Sequence, residues 1–158
     1  MLKGVIMEFH FFIVVTLAGL MATYLHLVMG QWAGRIGLPR LDFARVMADL
    51  TYGESFEGEP SYWAGQIAVF FNGTFFAFLY ATAFGPLLPG EPIVRGFLFG
   101  IILYFGSGLF FIPIYLKEGV FLSKVHSKAW MPLLMVHVVY GLVVGWLSPI
   151  LGYSAAVN

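Results

Sequence analysis

Two histidines stand inside long apolar stretches of this chain, His26 in the first and His137 in the last. Ionisable groups are costly in hydrocarbon and tend to mark function there. His26 falls about six residues past the midpoint of its stretch, and His137 about four before the midpoint of a stretch running the other way. At 1.5 Å per helical residue, both rings lie roughly 6 to 9 Å to one side of the midplane. Asn72 and Ser107 fall at comparable depth on the two intervening stretches, and Tyr140 lies close to His137. The spacing predicts one thin polar layer of His26, Asn72, Ser107, His137 and Tyr140.

That layer admits three chemistries. The first is structural: neutral imidazoles bond Asn72, Ser107 or backbone carbonyls and hold the helices together. The second is ligation, in which His26 and His137 are axial ligands to haem b or to the magnesium of a (bacterio)chlorophyll, with glycines leaving room for a flat macrocycle. The third is a proton or quinone site. Structural glue ranks first, since haem-binding bundles show more histidines than these two.

Other chemistries find no support. The chain has no cysteine, which excludes disulfides, iron–sulfur clusters and thiolate metal sites. No H-E-x-x-H, G-x-S-x-G or phosphate-cradling glycine loop occurs. No span carries a charge at its centre, so a coupled ion transporter would lack its relay. Asp42, Asp49, Glu54, Glu57 and Glu59 match no metal loop and read as solvated. His10 and His126 read the same way. A formal net charge of +0 leaves no basic excess for nucleic acid.

The elements that must position these side chains are long helices. Apolar residues make up 60% of the 158 and charged residues 10%, against about 25% charged in a soluble domain. Four apolar runs predict spans over about 9–32, 63–84, 93–116 and 130–152, each long enough for roughly 30 Å of hydrocarbon. The first run is too long for a signal-peptide core and is expected to stay as a helix. The stop before Gly85-Pro86 and the short connection after it make spans two and three expected antiparallel neighbours. Pro113 is expected to kink span three. Small or polar residues recur every three or four positions on each span, including Gly96-x-x-x-Gly100 and Gly141-x-x-x-Gly145, and predict the packing faces.

The one long connection contains a short amphipathic helix over about 41–52. Asp42, Arg45 and Asp49 form its polar stripe, and Phe43, Met47 and Leu50 project from the other side. It is expected to lie at the headgroup boundary or to dock a partner. The predicted fold is thus one all-α membrane domain over 1–158, a four-helix transmembrane bundle with an interfacial helix between spans one and two.

Basic residues predict the orientation. Arg35, Arg40, Arg45, Lys117, Lys124 and Lys128 fall on one side, and only Lys3 and Arg95 on the other. Six against two places the 31–62 and 117–129 segments in the cytoplasm. Both termini are then periplasmic, in a multi-pass protein of the bacterial inner membrane.

The pieces Leu38-Pro39-Arg40-Leu41-Asp42-Phe43-Ala44-Arg45, Phe71-Asn72-Gly73-Thr74-Phe75-Phe76-Ala77 and His137-Val138-Val139-Tyr140-Gly141, in that order, resemble a family of small four-helix bacterial membrane proteins, known as a domain of unknown function. The resemblance implies four spans and a cytoplasmic amphipathic segment, and carries no activity. The expected function is a non-catalytic accessory subunit of a membrane-embedded electron-transfer complex, respiratory or photosynthetic. Its partners would be membrane lipids, some of them bound, and other transmembrane subunits. The alternatives are a small haem- or chlorophyll-binding protein and a carrier for a small hydrophobic molecule.

Overall fold

A computed structural model describes residues 2–53 and 56–152, and every regular element among them is helical. Helix α1 spans Leu2–Trp32 and closes through a 3-10 turn, Ala33–Ile36. Helix α2 covers Phe43–Tyr52. Helix α3, Tyr62–Leu79, runs on through a π-helical turn at Tyr80–Phe84 and a last turn at Gly85–Leu87. Helix α4, Pro92–Gly106, continues as a π-helical stretch, Ser107–Leu116. Helix α5 covers Trp130–Leu147. Four helical stretches, Glu8–Ile36, Tyr62–Leu87, Pro92–Leu116 and Trp130–Leu147, are long and apolar enough to cross a membrane. The chain is therefore an all-α, multi-pass membrane protein. Glu54 and residues 153–158 lie outside the described residues.

Prolines set the boundaries that differ from expectation. Helix α5 stops at Leu147, five residues short of 152, because Pro149 holds Ser148 in extended backbone at φ −85° and ψ 133°. Helix α3 does not stop before Gly85-Pro86. A proline ring clashes with the carbonyl four residues back, and the wider π turn at Tyr80–Phe84 moves those carbonyls aside. One of them, Ala81 O, accepts from Leu151 N at 2.8 Å, which ties the exit of α5 to α3. Pro113 is absorbed in the same way, within the π-helical stretch that continues α4.

Around the bundle the helices run α3, α1, α5, α4, each packed chiefly on the next. Glycine decides how close they come. A Cβ on Gly145 would stand 2.7 Å from Gly96 Cα, and one on Gly141 would stand 2.7 Å from Gly100 Cα. The two GxxxG faces therefore meet backbone to backbone, as association without a hydrophobic drive requires. Spans two and three meet closely only near their connection, where Phe99 packs on Tyr80 and Phe84 at centroid distances of 5.4 and 5.2 Å. Arg95 Nη1 and Nε donate to Gly85 O at 2.8 Å and Gly90 O at 2.6 Å, placing a cation on the carbonyl end of α3.

Helix α2 is docked on α3. Its buried face is Ala44 and Ala48, set against Gly65, while Leu50 stays exposed. Against α3 the contact is made by small side chains, because Gly65 brings the two backbones together, while Phe43 and Met47 are half-buried beside it. The Asp42 side chain caps the helix by accepting from Arg45 N at 3.0 Å. Outside, Arg45 pairs with Glu59 at 2.7 Å and more distantly with Asp49 at 4.0 Å. The hydrogen bond that Arg45 donates to Glu59, then the charge of that carboxylate, raises the Arg45 pKa above its ordinary value.

Candidate functional site

Helices α1 and α5 pack side by side and bring the two predicted imidazoles into contact. The His26 and His137 rings meet edge to face, with centroids 5.4 Å apart and planes at 87°. Phe43, just inside α2, covers His26 at 4.4 Å, and Tyr140 approaches it at 6.4 Å. On the far side Tyr104 of α4 stands 6.4 Å from His137 and carries Phe121 stacked on it at 4.8 Å. Helices α1, α2, α4 and α5 and the segment after α4 thus each contribute a ring to one cluster.

Hydrogen bonding fixes the tautomer of His137. Its Nδ1 lies 2.8 Å from Leu133 O, and a carbonyl can only accept. Nδ1 therefore carries the proton, and in the neutral ring Nε2 keeps its lone pair. The Tyr140 hydroxyl donates to Gly73 O on α3, bridging the bundle from α5. Thr23 returns its hydroxyl to Gly19 O at 2.7 Å. No buried side-chain nitrogen or oxygen among the described residues lacks a hydrogen-bond partner.

Two members of the predicted layer, Asn72 and Ser107, make no side-chain hydrogen bond to either histidine. Asn72 is exposed on the outer surface of α3, between exposed Phe71 and Phe75, and joins neither histidine. Ser107 is half-buried where α4 widens into its π-helical stretch. Three rings of the cluster were not foreseen as neighbours of the histidines: Phe43, Tyr104 and Phe121. Phe121 reaches its place through a segment in which Lys117, Phe121 and Leu122 all adopt positive φ, of 58°, 51° and 61°. Such backbone is sparsely populated for residues other than glycine and persists only where the surroundings hold it. Here the Phe121 ring lies over Gly108, whose missing Cβ makes the space. Lys124 Nζ donates to Lys117 O at 2.9 Å.

The geometry bears on the ligation reading. Joint axial ligation would spread a flat macrocycle between His26 and His137, whose rings already touch, so α1 and α5 would have to part. The two rings form a packed imidazole pair that does not fit a haem or chlorophyll held between them. No group of three or more His, Cys, Asp or Glu side chains suited to a metal ion occurs among the described residues. Open space lies outside the cluster, in a groove of about 460 Å³ along the α1–α3 seam, lined by Tyr24, Leu27, Gln31, Trp32, Tyr62 and Gln66 among others. Arg35 sits over the Trp32 ring at 4.5 Å beside it. Compared with protein-family models, with curated proteins and with solved structures, the chain finds no match.

Proposed function

We propose that this protein is a non-catalytic accessory subunit that assembles laterally with other transmembrane subunits. The observation that carries the reading is an interior packed with the bundle's own side chains. No fully buried side-chain nitrogen or oxygen among the described residues lacks a hydrogen-bond partner, and Phe43, Tyr140 and Tyr104, with Phe121 stacked on it, pack around half-buried His26 and buried His137. A catalytic or transport site needs a polar group aimed at space a substrate can enter. What remains for partners is the outer surface, where Phe71, Phe110, Trp146 and Trp63 are 63 to 78% exposed.

The narrower form of the proposal sets this subunit in a respiratory or photosynthetic electron-transfer complex of a bacterial inner membrane. Its support is the aromatic outer surface, which packs equally well on helices, lipid chains and pigments. The bias of six basic residues against two supports cytoplasmic 31–62 and 117–129 segments with periplasmic termini. Extraction from native membranes in mild detergent tests the reading. The protein should migrate well above monomer size, with companions identifiable by mass; migration alone as a monomer overturns it.

A further inference from the structure

The least expected polar group on the outer surface is the Asn72 carboxamide. Its span, Tyr62–Leu87, is 26 residues long, so Asn72 lies about 4 Å from the middle at 1.5 Å per residue. The nearer edge of a ~30 Å hydrocarbon layer is then roughly 11 Å away. Lysine and arginine reach such an edge with long flexible stems. Asparagine has a single methylene and cannot. The residue is exposed, and no hydrogen bond within the described residues engages its side chain. The outward threonines differ: Thr16 and Thr82 return their hydroxyls to Phe12 O at 2.8 Å and Phe78 O at 2.7 Å.

We infer that Asn72 marks a two-fold interface at which a second copy of this chain packs on α3. A carboxamide carries both an acceptor oxygen and a donor nitrogen, so two of them pair reciprocally. The basic residues that orient one copy orient every copy alike. Two parallel copies related by an axis along the membrane normal therefore bring Asn72 to Asn72 at the same depth. A different subunit would need its own polar group at that level. The flanking Phe71 and Phe75, 78% and 53% exposed, supply apolar surface beside the pair. A polar group that finds its partner only across an isologous contact fixes register as well as affinity. This goes beyond the accessory reading and does not depend on it.

The chain has no cysteine, so single cysteines report the contact directly. Phe71→Cys and Phe75→Cys keep Asn72 in place, and oxidation in membranes should yield a disulfide-linked dimer from at least one of them. Leu17→Cys on α1 and Phe105→Cys on α4, at positions 59% and 48% exposed, should yield none. In vesicles, energy transfer between labelled copies should show Asn72→Leu weakening self-association about 5- to 30-fold, with Asn72→Gln retaining part of it. Association unchanged in Asn72→Leu, or no covalent dimer from either α3 position, overturns the inference. Cross-linking of those positions only to a different polypeptide also overturns it, while leaving the accessory reading standing.

Discussion

Tyr140 illustrates how a single residue works in this bundle. Its hydroxyl bridges α5 to Gly73 O on α3, and its ring fills space between Ala77, Phe99 and His26. Interhelical hydrogen bonds in membranes average about 0.6 kcal/mol, whereas deleting a large buried ring costs about 3–5 kcal/mol. Tyr140→Phe should therefore lower unfolding stability in detergent slightly, and Tyr140→Ala several times more. Equal losses would show that the hydroxyl, and not the ring, holds the helices. Counting residues from the span midpoints was enough to pair His26 with His137, because depth follows from a fixed rise. Which flank a residue faces was not legible for Asn72. In lipid both flanks of a span are apolar, and the hydrophobic signal that orients a soluble helix is absent. Phe121 was hidden for another reason: its position depends on left-handed backbone at non-glycine residues, which no residue type announces.

At the scale of elements, glycine placement overrides amphipathicity. The stripe in α2 set Phe43, Met47 and Leu50 opposite the polar side; Phe43 does pack inward on His26, but the contact with α3 runs through Ala44 and Ala48, because Gly65 lets the two backbones meet. A Cβ there would overlap Ala44, so Gly65→Leu should undock α2. Hydrogen exchange over residues 43–52 should accelerate in that variant. Gly106→Leu should leave it unchanged, since nothing lies within 4 Å of a Cβ at Gly106. Unchanged exchange in Gly65→Leu would mean that the exposed ion pairs of Arg45 hold α2 instead. The spans were legible because a long apolar run has few alternatives. Their ends were less so, since Pro86, which read as a stop, is taken up by a π-helical turn.

For the whole molecule, four crossings and the all-α class were readable from composition and run length alone. The order of helices was only partly readable. The short connection between spans two and three implied adjacency, yet span two packs chiefly on α1 and α2 and span three on α5, where the glycine faces meet. Orientation is testable with single cysteines and a membrane-impermeant maleimide on intact cells. A cysteine at Gly90 should label from outside, and one at Ser127 only after lysis; the reverse pattern would invert the proposed topology. In the proposed role the interior is filled by the bundle's own side chains and the protein acts through its outer surface. The visible absorption spectrum of the protein gently extracted from native membranes tests this most directly. The account predicts no band whose intensity depends on His26 or His137, so that any pigment present belongs to companion subunits. A Soret or long-wavelength pigment band that disappears in both His26→Ala and His137→Ala would contradict it.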